Sequence, residues 1–283
     1  MNSCPPRIID VVIISDAHLG TYGCHAKELL QYLKSIKPKT LILNGDIIDI
    51  WQFTKNYWPS SHMLVVKELM DKMSSGCKIT YIPGNHDEML RKFAGLEVGN
   101  FQIKNKLILK QGNKKVWIFH GDIFDFTMQH SRWIAKLGSM GYGLLILINR
   151  LINKCLVFFG RNRMSLSKKI KNSVKSAVEF INNFEEVAAE IAIQNNYDFV
   201  ACGHIHKAEI KKIKINDGET TYLNSGDWVE SLTALEYNNK KWNLYHYLDD
   251  SLAKEIELPK AFNNKEIFKE VLDEFYSLKK AKA

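Results

Sequence analysis

The sequence predicts a layered α/β fold interrupted by a long helical insertion. Three observations carry that expectation. Short apolar, β-branched runs alternate with helix-like stretches over residues 8–87. Residues 123–196 then lose the strand pattern and read as mostly helical, too long for a simple loop. Beyond them, strand-like pairs return, joined by short polar turns.

In order, IIDVVIIS (8–15) is apolar on both faces, as a buried central strand requires. AKELLQYLKSI (26–36) places Leu29, Leu30, Leu33 and Ile36 at helical spacing. TLILNGD (40–46) is the next strand, MLVVKELMDKM (63–73) a helix, and CKITYIPGNHD (77–87) a third strand. LILKQGNKKVWIFHGD (107–122) reads as a hairpin turning near Gly112 and Asn113. FVACGHIH (199–206) is again a strand. Two hairpins follow, 208–215 with 220–227 and 231–239 with 241–247, turning at NDGE and NNKK. The segment 263–283 reads as a charged helix. The expected organisation is therefore a catalytic domain from 1–122 and 197–262, an insertion at 123–196, and a C-terminal helix.

The chain has 283 residues, 46 % of them apolar, which suits a globular core and excludes wholesale disorder. Its formal charge of +8 favours polyanionic partners. The charge is localised: residues 126–178 contain ten Lys and Arg and no Asp or Glu, leaving the rest slightly acidic. The five cysteines form no CxxC pair and read as reduced thiols of a cytosolic protein. MNSCPPRIIDVVIISD lacks the features of a signal peptide.

Within the insertion stands LLILINRLINKCLVFFGRNR (144–163), both apolar and basic. Asn149, Arg150, Asn153 and Lys154 form a narrow polar stripe on an otherwise apolar helix. A charged centre makes a membrane span costly. A helix buried against the core is one reading. The sharper one is a lid that contacts acyl chains and rests on an anionic bilayer surface.

The chemistry sits at strand ends. Successive strands finish in Ser15-Asp16-Ala17-His18, Asn44-Gly45-Asp46, Gly84-Asn85-His86-Asp87, His120-Gly121-Asp122 and Gly203-His204-Ile205-His206. Open α/β sheets place their sites at this carboxyl edge, so five strand ends are expected to converge. A lone NGD is usually a turn and a lone HxH usually structural, but all five in this order point to a metal site. Carboxylate and amide oxygens with imidazoles, and no thiolate, suit Mn²⁺, Fe or Zn²⁺. Asp46 could bridge two ions through its two oxygens.

SDAHLG (15–20), GDIID (45–49), GNHDE (84–88), HGD (120–122), GHIH (203–206) and LNSGDW (223–228) resemble the blocks of the calcineurin-like metallophosphoesterases. The resemblance implies a four-layer α/β/β/α sandwich carrying the helical lid. It also implies that Asp16, His18 and His206 hold one divalent ion and Asn85, His120 and His204 a second, with Mn²⁺ the favoured metal and Asp46 bridging. The ions would activate water for in-line attack on phosphorus. His86 would stabilise the transition state or protonate the leaving group. Asp87 and Asp122 would orient ligand histidines. His25, His62, His130 and His246 match no block and are assigned structural or surface roles.

The lid between the HGD and GHxH blocks, the Trp in GDIIDIW (45–51) and the SLSKKIKNS run (165–173) are similar to the UDP-2,3-diacylglucosamine pyrophosphohydrolases. That group implies a nucleotide-linked glycolipid substrate, with UMP and a diacyl sugar 1-phosphate as products. It implies a cytoplasmic, peripheral location on the inner membrane, with no obligate protein partner. Arg161, Ser165, Lys168, Lys169 and Asn172 are the candidate head-group contacts. GNHD departs from the GNRD of that group's best-known members. A phosphodiesterase or nuclease therefore stays as the alternative. Nucleic acid is disfavoured because the basic run is interleaved with aliphatics rather than stacking aromatics. A non-catalytic scaffold would have eroded ligands, and all seven positions are intact.

Overall fold

The structure, a computed structural model, describes residues 5–51, 57–127, 181, 183–258 and 269. The expected head-group contacts Arg161, Ser165, Lys168, Lys169 and Asn172, the apolar run 144–163 and the expected helix 263–283 lie outside the described residues, save for residue 269. The chain divides into two compact units, residues 1–121 with 189–283, and residues 122–188.

In the first unit, β1 (Arg7–Ile14), β2 (Ile36–Asn44), β3 (Lys78–Ile82) and β5 (Phe101–Ile103) run parallel. The short β4 (Glu97–Val98) closes one edge antiparallel, while β11 (Thr233–Asn238) and β12 (Lys241–His246) close the other. The order of this seven-stranded sheet is β12-β11-β1-β2-β3-β5-β4. The second sheet contains β6 (Leu107–Gln111), β7 (Lys114–Ile118), β8 (Phe199–Cys202), β9 (Glu209–Ile215) and β10 (Gly218–Asn224), in the order β6-β7-β8-β10-β9.

The period of two along each strand splits the core into layers. Val12 and Ile14 of β1 join Leu41, Leu43 and Ile79 against α1 (Ala26–Ser35) and α2 (Ser60–Ser74), through Leu29, Leu33, Val65 and Met73. Val11 and Ile13 face the other way. With Ile42, Ile82 and Leu235 they meet Val116, Ile118, Ala201 and Leu223 of the second sheet. On that sheet's far side Ala189 and Ala192, from the helix at 183–194, are buried, and Ile193 packs against Gly218. This is the expected α/β/β/α layering. Each fully buried Leu or Ile contributes about 1.5–3 kcal/mol, so the two apolar layers hold the sheets in place.

The hairpins turn where the sequence places them. Gln111 pairs with Lys114 around Gly112-Asn113, Ile215 with Gly218, and Asn238 with Lys241. Asn239 and Lys240 both take positive φ, 51° and 63°, as a tight hairpin turn requires. β2 starts four residues before the expected strand and includes Pro38. A proline is tolerated near a strand's beginning, where a lost donor matters least. In the second unit, α3 (Ile123–Thr127) opens with Asp125 N–H donating to Asp122 O at 3.0 Å, and Phe124 meets Phe184 edge-on. No helix among the described residues is long and apolar enough to cross a membrane.

Candidate active site

Parallel pairing aims the ends of β1, β2 and β3 in one direction, and β7 and β8 deliver theirs from the second sheet. Backbone bonds lace the loops together. Asp16 N–H donates to Gly45 O at 3.0 Å, His18 N–H to Asp46 O at 2.9 Å, and Gly203 N–H to His120 O at 2.9 Å. Side chains add cross-links between loops. Asp16 Oδ2 accepts from His204 N–H at 3.0 Å, and Asp46 Oδ1 from His86 N–H at 2.8 Å.

The backbone here is strained. Asp16, His18, Asp46, His204 and His206 have φ of 52°, 50°, 54°, 67° and 55°. Left-handed conformations cost non-glycine residues on the order of 1–3 kcal/mol each and persist where surroundings over-determine them. Gly45, φ +84°, explains the glycine beside Asp46, because a Cβ there would collide with the His120 ring.

Three overlapping groups result: Asp16, His18 and His206; His18, Asp46 and His86; and Asp46, His120 and His204. Within each, the potential ligand atoms lie within 4.8 Å of one another. Asp16 Oδ1 stands 3.3 Å from His206 Nε2, and Asp46 Oδ2 stands 3.3 Å from His120 Nε2. Asn85 lies between Gly84, which abuts Asp46 and His120, and His86, whose amide binds Asp46. His18 Nε2, Asp16 Oδ1 and Asn85 Oδ1 are buried and make no hydrogen bond among the described residues, although Asp16 Oδ1 faces His206 Nε2. Such atoms are expensive inside a protein unless something else satisfies them, and divalent cations fit this oxygen and nitrogen set. The orientation of His120 agrees: Nδ1 lies 2.8 Å from Asn44 O, a carbonyl that can only accept, so Nδ1 carries a proton and Nε2 is the nitrogen turned to Asp46.

Electrostatics point the same way. Burial alone would raise Asp16, but His206, His120 and His18 overcome it and hold the carboxyl far below the ordinary range. Asp46 is treated alike: burial raises it, His120 and His18 lower it, and the balance lies at about 2. Burial depresses His206, yet Asp16, Asp227 and Asp46 lift it to about 9. Anionic carboxylates embedded among imidazoles are what a cation selects.

Asp87 corrects an expectation. It orients no histidine. Its oxygens accept from Ile47 N–H at 2.9 Å, Gly84 N–H at 2.6 Å and the Tyr81 hydroxyl at 2.5 Å. It therefore ties the loop carrying Asp46 to the one carrying Asn85. The histidine partner is Asp49, which the motif reading passed over: Asp49 Oδ2 lies 2.9 Å from His86 Nδ1 and 3.5 Å from His18 Nδ1. Burial depresses His86, but Asp49, Asp46 and Asp16 outweigh it and raise its pKa. Asp227, also unassigned beforehand, stands 3.7 Å from His206 Nδ1. His62 supports the site from behind, its Nδ1 accepting from Gly20 N–H at 2.8 Å. Asp122 begins the second unit, its carbonyl accepting from Asp125 as described above.

Residues 9–208 match the calcineurin-like phosphoesterase family. The chain belongs to that family. It is accordingly a metal-dependent hydrolase of phosphoric esters or anhydrides. Among relatives of this phosphoesterase, a UDP-2,3-diacylglucosamine hydrolase of Blochmanniella pennsylvanica (strain BPEN) is 24 % identical over 250 residues, covering 82 % of this chain and 93 % of the relative. A UDP-2,3-diacylglucosamine hydrolase of Aliivibrio fischeri (strain MJ11) is 26 % identical over 244 residues, covering 83 % of this chain and 97 % of the relative. A solved phosphoesterase from E. coli aligns with a TM-score of 0.41 at 15 % identity, covering 85 % of this chain and 94 % of that one.

Proposed function

We propose that this phosphoesterase hydrolyses the pyrophosphate of UDP-2,3-diacylglucosamine, giving UMP and 2,3-diacylglucosamine 1-phosphate. The carrying observation is the series of three overlapping ligand groups, two of which contain Asp46, in a chain whose near-full-length relatives bear that activity in their names. Asp16, His18, His206 and Asp46 would hold one divalent cation, and Asp46, Asn85, His120 and His204 the other. The oxygen and nitrogen donor set, without thiolate, suits Mn²⁺, Fe or Zn²⁺, and the family resemblance favours manganese among them. Bound there, the cations supply Lewis-acid charge on the phosphoryl oxygens and lower the pKa of water at the centre.

The chain's own residues do the rest. Asn44 O and Asp49 fix the rings of His120 and His86 from behind. Asp49, Asp46 and Asp16 raise the pKa of His86 and so favour its protonated ring, which would donate a proton or hydrogen bond to the oxygen that leaves phosphorus. The attacking water forms the new P–O bond as the anhydride P–O bond breaks. Asp87 and Tyr81 keep the two loops in register.

The segment 123–196 would form the lid, with Arg161, Ser165, Lys168, Lys169 and Asn172 on the head group. Its ten positive charges and apolar run support peripheral binding at the cytoplasmic face of the inner membrane. The test is Mn²⁺-dependent release of UMP from UDP-2,3-diacylglucosamine, with bis-p-nitrophenyl phosphate and single-stranded DNA in parallel. Fast, selective UMP release supports the reading. Turnover of the generic diester alone points to another lipid-linked diphosphate, and preferential DNA cleavage makes the basic segment a nucleic-acid clamp.

A further inference from the structure

The loop after β1 does more than carry His18. Leu19 N–H is bound to Ile47 O at 2.9 Å, Gly20 N–H to His62 Nδ1 at 2.8 Å, and His25 N–H to Trp228 O at 2.9 Å. Thr21 binds back to His18 O through both its N–H, at 3.1 Å, and its hydroxyl, at 2.9 Å. The loop is pinned from end to end, yet at its tip Tyr22 is 84 % exposed.

Tyr22 is nevertheless positioned. Its ring lies against Tyr57, with centroids 3.7 Å apart and planes 35° from parallel. Tyr57 in turn meets the buried His62 edge-on at 6.0 Å. His62, Tyr57 and Tyr22 thus form a row of ring contacts from the buried His62 to the largely exposed Tyr22. Tyr22 follows His18 by four residues, so its Cα is within about 14 Å of that ligand's.

We infer that the Tyr22–Tyr57 pair is a stacking platform for the base of a nucleoside diphosphate substrate. This rests on the reading of the site as a nucleotide-pyrophosphate hydrolase. With the diphosphate at the cluster of Asp16, His18 and Asp46, a nucleoside has to reach no more than about 14 Å to meet the platform, because Tyr22 follows His18 by only four residues. A supported aromatic face gives a planar base area without ordering a floppy side chain, and the phenol hydroxyls can bind base or ribose edges. Nothing about the pair suits a phosphate, since it carries no positive charge.

The experiment uses the full-length, Mn²⁺-loaded protein turning over bis-p-nitrophenyl phosphate. Inhibition constants for UMP and for ribose 5-phosphate are measured in each variant, and their ratio is the readout. Both constants come from the same variant, so a change in its turnover drops out of the ratio. The platform predicts that UMP inhibits about tenfold more tightly than ribose 5-phosphate in the wild type and in Tyr22→Phe. The ratio falls close to one in Tyr22→Ala and in Tyr22→Leu, which keeps an apolar side chain but no aromatic face. Equal inhibition in the wild type overturns the inference, and so does a ratio that survives both non-aromatic variants. If the wild type spares UDP-2,3-diacylglucosamine but shows the ratio and loses it on substitution, the lipid reading fails and the platform stands.

Discussion

The two ends of β1 both gather charge, partly buried at its beginning and buried at its end, and they handle it in opposite ways. At its beginning, Arg7 donates to both oxygens of Glu236 at 2.9 and 3.0 Å, and the Tyr32 hydroxyl donates to the same carboxylate at 3.0 Å. The Tyr245 hydroxyl donates to Asp250 at 2.9 Å, 3.7 Å from Arg7. Every charge there has an opposite charge and a donor. At the strand's other end Asp16, His18 and Asn85 keep buried ligand atoms without hydrogen bonds among the described residues, and Asp16 and His18 stand on left-handed backbone. The first cluster fastens sheet edge to helix. The second is held open by its surroundings, which is how a fold prepares a place for something it does not itself contain.

The contrast can be broken by substitution. The largest effect is expected at Asp46→Ala. Turnover of bis-p-nitrophenyl phosphate with Mn²⁺ drops on the order of 1000-fold or more, because both clusters lose a carboxylate. Stopped-assay kinetics at saturating metal check it, and near-normal turnover would show that Asp46 is not shared. Next comes Asp49→Asn, with kcat down about 10–100-fold while the bound metal is retained. If metal content falls in step with kcat, Asp49 acts on the ligand His18 rather than on His86.

At the closed end the expected sign is different. Glu236→Ala lowers stability by about 1–2 kcal/mol, a modest value because the Arg7 side chain is 40 % exposed. The remaining folded protein keeps its activity, and urea unfolding alongside turnover separates the two effects. A large loss of turnover per folded molecule would mean that the two ends are coupled.

The last effect, at His62, is confined to acid pH and vanishes near neutrality. Burial lowers its pKa from 6.5 to about 4. The folded value lies below the unfolded one, so the unfolded chain takes up the proton first as pH falls. Its contribution is complete above about pH 6.5 and fades between there and pH 4. The loss at the acid end is at most about 3 kcal/mol. Unfolding of metal-free wild type and His62→Gln across that window tests it, and parallel pH profiles would contradict it.

The layering was legible because long strands such as β1 and β2 are apolar on both faces, a pattern set by burial between a helix layer and a second sheet. The hairpins were legible because two-residue turns demand particular residues. β4 and β5, two and three residues long, and the 3₁₀ turn at Glu88–Phe93 were not, since they are too short for any period to show. The ligand blocks stood out as polar residues stopping apolar strands. Asp49 lay inside a quoted block, but no spacing reveals that it faces His86 across two loops. Asp87 followed the Asn-His pair closely enough to suggest a ligand partner. Its real task, joining Ile47, Gly84 and Tyr81, is set by tertiary contacts. Tyr22 and Tyr57 are 35 positions apart in sequence, with nothing between them to announce a stack.

The central claim is that two cation clusters share Asp46, and metal content tests it most directly. Wild type and Asp46→Ala would be loaded with Mn²⁺, freed of excess metal and measured for manganese per chain by plasma mass spectrometry, with folding checked by circular dichroism. The account predicts about two ions per chain in the wild type and about one or fewer in the variant. Two ions retained by a folded Asp46→Ala protein, or one in the wild type at saturation, would contradict it.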